Sequence, residues 1–202
     1  MKIASAKSKI HSYQPKSYKM FDILKILSTH TFFLENNLKL IELNQRKNIG
    51  LSFAKFYFLL PNVSECLEEH LKIKVSEEQF IADLRNDNLQ YFKDALQKYD
   101  AETDSYSEDF IELEPMEINI LSGLENCLYS SEKPQTAISN FLLIIDILDY
   151  YENFSDNPKY WNKLLEQEIK SQQEIVQRMV NGEIMNENIY INRYKEVPFD
   201  KI

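Results

Sequence analysis

Residues 136–152, TAISNFLLIIDILDYYE, leave a folding chain few options. Ile138, Phe141, Leu142, Ile145 and Leu148 recur at the spacing of one helical face. Leu143, Ile144, Ile147 and Tyr151 add a second face, so only Ser139, Asp146, Asp149 and Asn153 remain for water. A helix that is apolar over most of its circumference must be covered on several sides. The expected fold is therefore all-α, a single helical bundle of about seven or eight helices with 136–152 at its centre.

The scarcity of glycine points the same way. The 202 residues include three, Gly50, Gly123 and Gly182. Tight hairpins and phosphate-cradling loops need glycine at special backbone angles, so nucleotide-binding and hairpin-rich sheet folds are disfavoured. Cys66 and Cys127 both fall within apolar helical patterns and read as reduced core thiols. The first sixteen residues are basic without an apolar segment, which does not fit a signal peptide. The longest apolar runs, FYFLL and FLLII, are too short to span a bilayer. A soluble, cytoplasmic protein is expected, with no membrane partner.

Three divisions follow along the chain: a basic arm over 1–18, the bundle over 19–182 and a tail over 183–202. A first helix from Ser17 to about Glu35 turns Phe21, Leu24, Ile26 and Leu27 inward, and a second apolar run, Leu38, Leu40, Ile41 and Leu43, continues it. LSFAKFYFLL forms a helix after Gly50 that Pro61 stops, and another runs from Asn62 to Leu71. Ser76 to Gln79 is a capping-box pattern opening a helix that the Asn86-Asp87-Asn88 cluster can interrupt. Pro115, Pro134 and Pro158 each stand where a first helical residue belongs. The last helix carries Trp161, Leu164, Leu165, Ile169, Ile175, Val176 and Met179 inward, with Glu166, Glu168, Gln172, Gln173 and Glu174 on its outer face. Gly182 ends it. Beyond Gly182 the helical period is lost, and 189–194 reads as a short strand or a docked tail.

The segments IGLSFAKFYFLLPN, MEINILSGLENCLYS, KPQTAISNFLLIIDILDYYE and NPKYWNKLLEQEIKSQQEIVQRM occur in that order. By this pattern, over roughly residues 45–180, the chain resembles the YjaG-like family of bacterial proteins (domain of unknown function 416). The resemblance implies an all-helical fold. It carries over no catalytic residue, because none is established for that family.

Residue chemistry gives little else. His11, His30 and His70 lack partners at metal-ligand spacing and read as exposed or core-edge histidines, with Cys66 one turn before His70 as a poor pair. Asp100, Glu102, Asp104 and Glu108 alternate like calcium ligands, but Ser105 replaces the turn glycine and Ile111 the bidentate glutamate. No catalytic residue, cofactor or metal is therefore expected, and the chain reads as a non-enzyme.

Charge is the informative feature. The net charge is −9, yet residues 1–20 carry five lysines and no acid, while 99–132 carries ten acids and no base. A field of that sign repels nucleic acid and attracts a cationic protein surface. The commoner meaning of a charge run is a solvated loop. The binding expectation is an immunity-type protein that neutralises a co-encoded toxin domain with a basic surface. Asp100, Glu102, Asp104, Glu108, Asp109, Glu112 and Glu114 would supply charge, and Tyr106 and Phe110 the aromatic anchors.

Overall fold

A computed structural model of the chain describes residues 17–103 and 112–200, with side chains from Lys25 onward. The described residues form nine helices and no strand: α1 (Ser17–Leu38), α2 (Leu43–Tyr57), α3 (Val63–Leu71), α4 (Glu77–Arg85), α5 (Gln90–Glu102), α6 (Pro115–Leu128), α7 (Pro134–Phe154), α8 (Pro158–Val180) and α9 (Ile189–Tyr194). The fold is the all-α bundle that the apolar periodicity predicts.

Local chemistry places most helix ends. Ser76 Oγ accepts the Gln79 N–H at 3.3 Å, which satisfies one of the orphan donors at the start of α4. Asp87 takes a left-handed conformation, φ 57°, and separates α4 from α5 within the predicted break. Proline stands in the first turn of α6, α7 and α8, where its missing N–H costs no helical bond. Gly182, at φ 88°, closes α8, and the Gly182 and Glu183 N–H groups return to the carbonyls of Met179 and Arg178.

Helix α7 is central. It packs against α6, α8, α1 and α2, and Phe141, Ile144, Ile147, Leu148 and Tyr151 are fully buried along it. Cys66 and Cys127 are buried and unbridged. The first helix departs from the expected register: Ile26, predicted inward, is 50 % exposed, and Leu40 and Leu43 face solvent. Leu27 packs against the core as expected, and Phe21 and Leu24 lie outside the described side chains. The stripe that meets α7 and α8 continues from Leu27 through His30, Leu34 and Leu38.

Glycine explains the second departure. Helix α2 begins at Leu43 and runs through Gly50 rather than starting after it. Gly50 and Gly123 lie where α2 crosses α6. A Cβ on Gly50 would fall 2.9 Å from Ser130 Cβ, and one on Gly123 would fall 2.1 Å from Tyr57 Cζ. Gly50 lets α2 approach the Cys127 carbonyl of α6 closely, and Gly123 makes room for the Tyr57 ring of α2. The Tyr57 ring cannot swing aside, since it is fully buried and its hydroxyl donates to Asn140 Oδ1 at 3.0 Å. Gly123→Ala gains about 1 kcal/mol of helix propensity but overpacks this contact at a cost of about 3 kcal/mol. The expected outcome is a net loss of about 2 kcal/mol, a drop in Tm of about 6 °C for a chain of this size. A thermal melt within about 1 °C of the parent would show that the ring yields.

Residues 183–200 are built into the bundle. The segment read as a strand or docked tail forms the six-residue α9, which docks on α2. Tyr190 and Tyr194 are fully buried, Phe199 nearly so, and Tyr151 donates its hydroxyl proton to the Phe199 carbonyl at 2.5 Å. The helical period was masked in the sequence because α9 is shorter than two turns. Aromatic contact rather than length holds it.

Candidate functional site

Helix α3 turns Val63, Cys66, Leu67 and Leu71 into the core. That register leaves Glu65, Glu68 and Glu69 on the opposite face, exposed. Helix α6 begins beside them. Its first turn is fixed by the Glu114 backbone N–H, which donates to Glu117 Oε2 at 2.9 Å. A cleft of about 390 Å³ opens between the two helices and the C-terminal part of α7. Glu65 and Glu69 line it from α3, Glu114 and Glu117 from the cap and first turn of α6, and Tyr150 and Tyr151 from α7, with no lysine or arginine in the lining among the described residues. Tyr150 carries Phe154 beyond the cleft, ring centroids 4.8 Å apart, and Phe154 is 63 % exposed.

The predicted acidic residues divide between this site and its surroundings. Glu114 lines the cleft, and Glu112 is exposed just before it. Asp100 and Glu102 are exposed at the end of α5, which packs on α3 and α6. There the Tyr99 ring meets His70 edge-on at 6.2 Å, so the end of α5 lies beside the acids of α3. Asp104, Tyr106, Glu108, Asp109 and Phe110 lie outside the described residues, as do Ser105 and Ile111 of the incomplete calcium pattern. Glu65, Glu69, Glu117, Tyr150 and Phe154 are the members that sequence reasoning missed. They come from α3, α6 and α7, and nothing in their own sequence segments marks them as neighbours.

His70 also gains a partner that chain spacing does not reveal. Its Nε2 lies 3.2 Å from Glu117 Oε1. The Glu117 carboxyl is held below its usual range, first by the Glu114 N–H and then by His70. Beneath them the Cys66 thiol is pushed up to about 12, mainly by burial and then by the charges of Glu117 and Glu69. It is therefore protonated and unreactive at neutral pH.

A second polar cluster overturns two expectations. Glu168 and Gln172, predicted on the outer face of α8, are fully buried, and so is His30. Arg193 Nε and the Tyr194 hydroxyl donate to Glu168 Oε2 at 2.8 and 2.6 Å. Gln172 Nε2 donates to Glu168 Oε1 at 2.9 Å and to the Phe141 carbonyl at 2.8 Å. Its amide oxygen then accepts from His30 Nε2 at 2.7 Å, which assigns the His30 proton to Nε2. Burial lowers the His30 pKa against the raising effect of Gln172, so the ring is neutral at pH 7. Burial likewise raises the Glu168 carboxyl, while Arg193, Tyr194 and Gln172 pull it back. Helices α1 and α9 cover the side of α8 that periodicity alone assigns to water. The cluster is a buried hydrogen-bonded network that ties α9 and α1 to α8. Among the described residues His30 Nδ1 is left without a partner, and Arg193 alone carries the network toward solvent.

No family model matches the chain, and neither the curated proteins nor the solved structures contain a match to it.

Proposed function

We propose that the chain is a non-enzymatic binding protein of the bacterial immunity type, which neutralises a co-encoded toxin domain through an acidic face. The observation that carries this reading is the convergence of four glutamates from α3 and the start of α6 on one cleft, without a basic residue in its lining among the described residues. Asp100, Glu102 and Glu112 widen the same negative region. A toxin that acts on nucleic acid must present a basic cleft, and an acidic protein can occupy it as a phosphate mimic. Such charge raises the association rate and selects the partner more than it adds affinity. Desolvated apolar anchors then set the lifetime of the complex. Phe154 and Tyr150 stand at the edge of the cleft for this role; Tyr106 and Phe110, the anchors expected from the sequence, lie outside the described residues. The protein acts in the cytoplasm in this reading and binds neither nucleic acid nor membrane. Among the described residues, no helix is long and apolar enough to cross a bilayer.

Replacing Glu65, Asp100, Glu102 and Glu112 with Gln or Asn tests the reading. These side chains are exposed, so the fold should persist. The association rate with the toxin domain encoded beside the gene should fall on the order of tenfold at low salt, with a flatter salt dependence. Unchanged association would remove the acidic face from the interface. If no toxin gene adjoins this one, the second reading takes over: a cytoplasmic protein of general role similar to the YjaG-like family. The order of the apolar helices α2, α6, α7 and α8 favours it.

A further inference from the structure

We propose that Glu69, His70 and Glu117 form a binding site for a divalent transition-metal ion of the zinc class. The three side chains bring one imidazole nitrogen and two carboxylate oxygens to within 4.8 Å of one another. Donors around a tetrahedral zinc stand roughly 3.4 Å apart, given ligand distances of about 2.1 Å. The cluster is therefore one rotamer adjustment from closure. The adjustment falls to Glu69, which is exposed and free to move.

The other two ligands are already oriented. Glu117 keeps one oxygen on the Glu114 N–H and presents the second to His70. The Tyr99 ring stands edge-on against the imidazole. Outer contacts of this kind fix first-sphere geometry in known metal centres. An ordinary His–Glu ion pair leaves Glu69 unexplained: among the described residues it joins no ion pair, although it stands beside a second carboxylate. A cation between them would bridge the two carboxylates and the imidazole.

The donor set also selects the ion. An imidazole with two carboxylates suits zinc and its neighbours, whereas calcium and magnesium prefer oxygen donors alone. Three protein ligands leave a fourth position, which opens into the cleft that Glu69 and Glu117 line. The ion would join α3 to the first turn of α6, where the acidic segment ends.

The test uses the full chain stripped with a chelator and titrated with zinc sulfate by calorimetry at pH 7.5. One ion per chain is expected, with a Kd below about 10 μM, and zinc should raise Tm as mass action requires. Glu69→Gln and His70→Gln should each weaken zinc binding by roughly tenfold or more, the scale on which metal sites respond to lost contacts. Glu117→Gln should do the same while preserving the start of α6, because glutamine also serves at that capping position. Calcium and magnesium should bind at least tenfold more weakly than zinc. The absence of binding, equal binding of calcium, or zinc binding that Glu69→Gln leaves intact would each overturn the site. Circular dichroism checks the fold of each variant, and the exposed Glu69→Gln decides the question if His70→Gln misfolds. The inference does not depend on the toxin-binding reading. The charge-removal variants used for that reading spare all three ligands, so either proposal can fail alone.

Discussion

Phe141→Ala should destabilise the protein by about 4 kcal/mol, the middle of the range for emptying a buried aromatic site. The ring is fully buried on α7. It meets Phe53 of α2 edge-to-face at 4.9 Å and Tyr190 of α9 at 6.3 Å, so three helices share the space it fills. The site cannot collapse easily. The Phe141 carbonyl accepts from Gln172, which pins the backbone, and Phe53 and Tyr190 are held by rings of their own. A loss of that size is a large part of the total stability of an ordinary domain, about 5–15 kcal/mol. Urea melts monitored at 222 nm would measure it, and Phe141→Leu, which leaves a smaller void, should lose clearly less. A shift below about 1 kcal/mol for the alanine variant would mean that α7 is not the centre of the core.

The next largest effect is expected at Arg193→Met, about 3 kcal/mol at pH 7. Removing one partner of a buried pair strands the other charge, which typically costs about 3–5 kcal/mol. The lower end applies here for two reasons. Arg193 is 26 % exposed, so part of its charge is already solvated, and Tyr194 and Gln172 still donate to Glu168 after the change. The Glu168→Leu/Arg193→Met double variant separates the pair from its desolvation. It should recover most of the loss, since a well-packed apolar pair often equals a buried ion pair. The coupling in that double-mutant cycle is the measured quantity. Additive losses would show that Arg193 contributes through packing of its stem on α9 and not through Glu168.

Both substitutions act on the joint between the tail and the bundle, which governs how far α9 belongs to the fold. Arg193→Met should loosen α9 first, because α9 is only six residues long and Glu168 is its one buried ionic tie among the described residues. Hydrogen exchange would place the early loss of protection in 189–194 rather than in α7.

The sequence by itself determined most of the helices and their punctuation, α9 and the start of α2 excepted. Residues 136–152 are apolar around most of a turn, and such a segment has no stable solution except burial on several sides. Pro115, Pro134, Pro158, Ser76 and Gly182 mark helix ends through backbone chemistry that is local, so they act at the predicted places. Which polar residues are buried was decided elsewhere. Glu168, Gln172 and His30 carry no local sign of burial. They became interior because α1, 142 positions away, and α9, which folds back after Gly182, close over α8 and bring His30, Arg193 and Tyr194 within hydrogen-bond reach. The acidic cleft follows the same rule. The charge excess in 99–132 was legible as composition. Its pairing with Glu65 and Glu69, and the approach of His70 to Glu117, required α3 to pack against α6 across 47 positions of sequence. Periodicity tells a residue which side of its own helix it occupies. Only the packing of other helices decides whether that side meets water.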